Sequence, residues 1–105
     1  MNISPSLLTK FKKAEIDNLF KDARIVAKTP YMILLCGSAA KEYGRILLMV
    51  SRKIGTAPQR NKLRRRLKNI FYKEQLFLHK KDCIFIAKDK KINHLIFDDL
   101  KLFIK

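Results

Sequence analysis

The residues best suited to chemistry in this sequence stand together: Arg60-Asn61-Lys62-Leu63-Arg64-Arg65-Arg66-Leu67-Lys68. Each arginine presents a planar fork of donors that matches two phosphate oxygens, and each lysine supplies a point charge. Asn61 carries both donor and acceptor groups, so it suits a base edge, a 2′-hydroxyl or a brace at the helix entry. No Asp or Glu occurs between Gly55 and Lys73. A merely solvated charged face normally mixes signs in i,i+4 Glu–Lys pairs, and this stretch does not. The chemistry on offer is recognition of a polyanion.

Bond-making chemistry has no comparable support. His79 and His94 lie on or beside helical patterns, with no Cys, Asp or Glu at metal-ligand spacing. No Ser–His or Cys–His arrangement can be argued. Asp98 and Asp99 are adjacent in a helical pattern, where neighbours diverge by about 100°, so they are expected to solvate that helix. Cys36 and Cys83 are the only cysteines. Two separated thiols make neither a zinc knuckle nor a disulfide framework. They are expected as buried apolar side chains in a reducing cytosol. The expectation is no protein active site and no protein metal site.

The whole chain carries the same sign. Twenty-four Lys and Arg face nine Asp and Glu, a net charge of +15 over 105 residues. Solubility needs a magnitude of only about 2–8 in a small domain, so a polyanionic partner explains the excess, nucleic acid first and an anionic membrane surface next. With 48% hydrophobic residues the composition is globular. The length fits one domain with one modest core, so residues 1–105 read as a single nucleic-acid-binding domain. No secretory h-region is legible at the start, and no apolar run is long enough to span a bilayer.

The elements that must hold the basic run follow from periodicity. Lys10 to Phe20 reads as a short amphipathic helix, with Phe11, Ile16, Leu19 and Phe20 on one broad face. Ile25 to Cys36 reads as extended, with Pro30 marking a break or an edge. Gly37 to Gly44 is a turn. Arg45 to Val50 is a nearly continuous apolar run, as expected of a strand buried on both faces. Thr56-Ala57-Pro58-Gln59 fits a capping box with proline in the first turn, and the helical pattern continues to about Leu78. Asp82 to Lys88 reads as another buried strand, and His94 to Ile104 as a last amphipathic helix. On a helical wheel, Leu63, Leu67, Ile70, Phe71, Phe77 and Leu78 share one arc, and Arg65, Asn61, Lys68 and Tyr72 lie opposite. Lys62, Arg66 and Lys73 take one flank and Arg64 the other. Glu74 falls within the apolar arc and is expected at its margin or paired with a base. The strands flanking the long helix can pair in parallel across it, which makes an α+β sandwich.

The ordered combination Ser51-Arg52-Lys53-Ile54-Gly55-Thr56-Ala57, then Arg60-Asn61-Lys62-Leu63-Arg64-Arg65, then Lys68 and Phe71 resembles the protein component of bacterial ribonuclease P. Phe20 ending the first helix, Tyr31 in the extended segment and Lys81-Asp82 opening a strand that ends Ile86-Ala87-Lys88 are also similar to that family. The resemblance implies a two-layer α/β sandwich of order αβββαβα, of the ribosomal protein S5 domain 2-like type. It also implies a left-handed β-α-β crossover, against the usual right-handed preference.

The same resemblance implies a role. The chain would be the protein subunit of an endoribonuclease whose catalysis is carried by its RNA, with Mg²⁺ held mainly by that RNA. Arg52, Lys53, Arg60, Asn61, Lys62, Arg64, Arg65 and Lys68 would contact the catalytic RNA. Lys12, Lys13, Phe20 and Tyr31 would line a cleft for the 5′ leader of precursor tRNA, the aromatics by stacking on bases. The implied assembly is one protein with one RNA, acting on precursor tRNA in the bacterial cytoplasm, away from any membrane. Lys62 stands where the family most often has Arg, Ile16 where many members have an aromatic, and Pro58 where a β-branched residue is usual. The rival reading is a structural, ribosomal-type RNA-binding protein without a role in processing. A DNA-binding helix fits less well, because the basic helix has no legible dimer partner or turn–helix companion.

Overall fold

The computed structural model describes residues 4–89, so the helix expected over His94–Ile104 lies outside the described residues. The first ordered turn is a 3-10 turn at Pro5–Thr9, which buries Leu8. Helix α1 spans Lys13–Asp22, starting three residues later than the periodicity suggests. The Lys12 N–H donates to the Glu15 carboxylate at 2.9 Å, which fixes the start of the helix there. Only Leu19 of its apolar residues is buried. Phe20, expected on the same inward face, is 42% exposed.

The extended segment is a hairpin rather than one strand. Strands β1 (Arg24–Lys28) and β2 (Met32–Ser38) pair antiparallel with a bulge between Ile25 and Ala27. Pro30 sits in the connecting turn, where a missing donor costs nothing. Thr29 closes that turn by accepting, through its hydroxyl, from the N–H groups of Tyr31 and Met32, each at 3.1 Å.

Strands β3 (Ile46–Val50) and β4 (Lys81–Ala87) flank helix α2 (Ala57–Lys73). They pair in parallel, and β2 pairs antiparallel with β4 in an unbroken register from Met32↔Ala87 to Ser38↔Lys81. The sheet order is β1-β2-β4-β3. The described architecture is therefore mixed α+β, αβββαβ in order, with α2 crossing between parallel neighbours. The apolar run of β3, expected to be buried on both faces, occupies an edge, and its Met49 is 42% exposed. An apolar run looks the same in sequence at an edge and at a centre. Here β4, paired on both sides between β2 and β3, carries the near-continuous buried run.

The two faces of the sheet have different covers. Met32, Leu34 and Cys36 of β2 join Cys83, Phe85 and Ala87 of β4 in one cluster with Leu63, Leu67 and Phe71 of α2. Side chains alternate along a strand, so Ile33, Leu35 and Gly37 face the other way, toward α1. A Cβ on Gly37 would lie 3.3 Å from Ala23 Cα and 3.4 Å from Leu19 Cδ1, so the bare glycine lets α1 lie close to the sheet.

Helix α2 ends at Lys73, five residues short of the expected Leu78. Gln75 adopts left-handed backbone (φ 54°) and a separate 3-10 turn runs over Leu76–His79. That turn buries Leu76 and Phe77 and leaves Leu78 47% exposed, so Leu78 does not continue the inward stripe. Glu74 caps the helix from an exposed position, at the margin of the apolar arc.

Candidate nucleic-acid interface

The basic helix is set up from its start. The Thr56 hydroxyl accepts from the Gln59 N–H at 3.4 Å, and the Gln59 carboxamide accepts from the Thr56 N–H at 2.8 Å. This is the reciprocal cap that the spacing predicts. Gly55 precedes it at φ 144°, and a Cβ there would run into the Gln59 carboxamide. The cap and the glycine thus depend on each other. Upstream, the Ser51 N–H donates to the Ala87 carbonyl at 3.0 Å, and the Ser51 hydroxyl accepts from the Lys53 N–H at 3.2 Å. That opens a 3-10 turn, Arg52–Ile54, which buries Ile54 and leaves Arg52 and Lys53 exposed.

Along α2 the two chemistries separate. Leu63, Leu67 and Phe71 are buried and Ile70 packs at their margin. Asn61, Lys62 and Arg65 are exposed, while Arg60, Arg64 and Lys68 are half-buried. Amphipathic geometry therefore projects the cationic groups away from the sheet. They form two flanks. Asn61, Arg64, Arg65 and Lys68 line one wall of an open groove of about 750 Å³ whose other wall includes Leu47 and Leu48 of β3. Lys62 and Arg66 border a smaller depression, of about 300 Å³, beside Leu63. Within the groove the Arg64 guanidinium donates to Asn61 Oδ1 at 2.8 Å. Asn61 thus braces Arg64, leaving its amide nitrogen for another acceptor.

The residues expected at the leader cleft are spread more widely. Lys12 and Lys13 are exposed at the start of α1 and Phe20 is exposed toward its end. Tyr31 lies at the hairpin turn, half-buried against the core cluster under α2. Its carbonyl accepts from Lys88 at the far end of the sheet. Gly37, beside α1, and Met32, beside Tyr31, are five residues apart on β2, about 17 Å at strand rise. The structure therefore gathers Lys12, Lys13 and Phe20 on α1 and places Tyr31 apart from them.

One charged group central to the architecture was not legible as such. Arg45, at the threshold of β3, is 1% exposed. Its guanidinium lies 2.9 Å from Glu15 and 3.1 Å from Asp82, donates to the Lys10 carbonyl at 2.8 Å, and sits 4.3 Å over the Phe11 ring. Asp82 also accepts from the Arg45 N–H at 3.0 Å. This network fastens the start of α1 to the heads of β3 and β4, and so positions Lys12 and Lys13. The hydrogen bond from Arg45, with that from the Lys12 N–H, holds the Glu15 carboxyl at about 2, below its ordinary 4.5. The available signal was a base heading one apolar run and an acid heading the next. Among the described residues, no three His, Cys, Asp or Glu side chains group to hold a metal ion, and no helix is long and apolar enough to cross a membrane.

The chain is similar in sequence and in fold to known proteins. The ribonuclease P protein component of Staphylococcus aureus strain N315 is 29% identical over 77 residues, covering 73% of this chain and 67% of that protein. The solved RNase P protein of Thermotoga maritima superposes with a TM-score of 0.68 at 22% identity, covering 90% of this chain and 89% of that one. The solved Staphylococcus aureus RNase P protein gives 0.69 at 20%, covering 91% and 87%. Both structural likenesses concern the fold. Residues 9–104 match the family model for ribonuclease P, and over that span the chain belongs to the ribonuclease P protein family, components of the ribonucleoprotein that processes tRNA.

Proposed function

We propose that this chain binds the catalytic RNA of ribonuclease P through α2 and assists endonucleolytic removal of the 5′ leader from precursor tRNA. The observation that carries this reading is the segregation along α2: Leu63, Leu67 and Phe71 anchor the helix, and the cations turn outward beside an open groove. Arg64, Arg65 and Lys68 in the groove, Lys62 and Arg60 on α2, and Arg52 and Lys53 on the preceding turn screen the phosphate charge of the docked RNA. Asn61 orients Arg64 for bidentate contact. Lys12, Lys13 and Phe20 serve the leader from α1, with Phe20 offering an exposed ring for stacking. Tyr31 meets the leader only if that strand crosses to the far end of β2.

Hydrolysis belongs to the RNA and the Mg²⁺ that the RNA holds, and the protein contributes binding and orientation. The working particle is one copy of this RNA-binding domain with one RNA in the bacterial cytoplasm. The test is direct. Added to bacterial ribonuclease P RNA and precursor tRNA at low Mg²⁺, the protein should stimulate release of the leader. RNA binding without stimulation would favour a structural RNA-binding role instead.

A further inference from the structure

Cys36 and Cys83 face each other across β2 and β4 as register partners, with their sulfurs 3.2 Å apart. That is about 1.2 Å beyond a sulfur–sulfur bond. The backbone adds a second condition. The Cys83 N–H donates to the carbonyl of Arg45, the residue just before β3, at 2.8 Å, so the polar groups of Cys83 point away from β2. Cys36 and Cys83 therefore form a non-hydrogen-bonded antiparallel pair, whose Cα atoms approach to about 4.5 Å. This lies within the roughly 4.4–6.8 Å that a disulfide spans. The strands need no change of register to be linked.

The two thiols are not equivalent. Cys83 is fully buried, whereas Cys36 borders an open hollow of about 480 Å³ whose walls include Arg24, His79 and Lys80. A hydrogen bond with Cys83 moves the Cys36 thiol down from its ordinary value, whereas the same bond together with burial pushes Cys83 up. Cys36, buried but 8% exposed against 0% for Cys83, is the more accessible of the two sulfurs, and Cys83 lies 3.2 Å behind it.

We propose that Cys36 and Cys83 are a peroxide-oxidisable pair that closes to an intramolecular disulfide within the folded sheet. The Cys36 thiolate attacks one oxygen of hydrogen peroxide, the O–O bond breaks, and Cys36 becomes a sulfenic acid as the first water leaves. The Cys83 sulfur then attacks the Cys36 sulfur. The S–S bond forms, the S–O bond breaks, and the oxygen leaves as a second water. Two thiols give up two electrons and two protons, and one peroxide becomes two waters. The product staples β2 to β4 on the face that carries α2, across a separation of 47 residues. In a reducing compartment the pair rests as thiols, so the staple would register oxidant.

The experiment treats the folded full chain with hydrogen peroxide, then combines thiol counting in denaturant with non-reducing peptide mapping and thermal unfolding. The expected result is a monomer linked Cys36–Cys83, reversed by dithiothreitol, with a midpoint raised on the order of 10 °C. Folded Cys83→Ser should trap a dimedone-reactive sulfenic acid at Cys36, and folded Cys36→Ser should leave Cys83 unreactive. Persistent free thiols in the wild-type chain, over-oxidation to sulfinic acid, or linkage only between chains would each overturn the proposal. The wild-type result decides it even if either variant fails to fold.

Discussion

Glu15 in the first turn of α1 and Arg45 at the head of β3 are joined at 2.9 Å, although 30 positions of sequence separate them. Glu15 titrates at about 2 in the folded chain against an ordinary 4.5. A carboxyl depressed on folding stabilises the native state above its unfolded value, and that contribution is lost as pH falls toward the folded value. Stability should therefore decline between about pH 4.5 and pH 2 partly through Glu15. In Glu15→Gln this acid limb should be shallower, as read by urea unfolding at stepped pH. Parallel curves for the two proteins would show that the ion pair does not form in solution.

Arg45 should be far less tolerant. It is almost fully buried and faces Asp82, itself 3% exposed. Arg45→Ala leaves that carboxylate without its partner, so unfolding should become easier by about 3–5 kcal/mol. A loss below about 1 kcal/mol, the range of a surface pair, would place Arg45 in solvent.

The cap of α2 makes a smaller, local prediction. Thr56→Ala removes the acceptor for the Gln59 N–H and should cost about 1 kcal/mol of stability. Circular dichroism and urea unfolding should report an intact fold with a lower midpoint. No change in midpoint would mean that the helix start is held by other contacts.

Leu67 and Arg65 lie two residues apart on one helix and should behave oppositely. Leu67 is fully buried, and Leu67→Ala should cost about 2–5 kcal/mol. Arg65 is exposed, so Arg65→Ala should leave thermal unfolding nearly unchanged. A silent Leu67→Ala, or a sharply destabilised Arg65→Ala, would reverse the assignment of the helix faces.

What the chain disclosed in advance was local. The Thr56–Gln59 cap and the inward Leu63, Leu67 and Phe71 depend on residues three or four apart, so spacing alone reveals them. The outward cations follow from the same wheel. The Arg45 network was hidden because its partners come from two distant parts of the chain, the Lys10 carbonyl and Glu15 at the start of α1 and Asp82 at the head of β4. The edge position of β3 was hidden because pairing order is set by the whole sheet. The early end of α2 came from the left-handed turn at Gln75, a conformation uncommon for a residue other than glycine. Tyr31 and Phe20 carry suitable rings, but only the sheet shows them to be separated.

The central claim is that the outer face of α2 docks RNA through phosphate contacts. The most direct measurement is the affinity of wild-type and Arg65→Ala proteins for ribonuclease P RNA across a salt series. Affinity should fall steeply with salt for the wild type. For Arg65→Ala it should be weaker throughout, with a log–log slope smaller by about one, while thermal unfolding stays the same. Identical affinities and slopes for the two proteins would contradict the account and move the RNA-binding surface off this helix face.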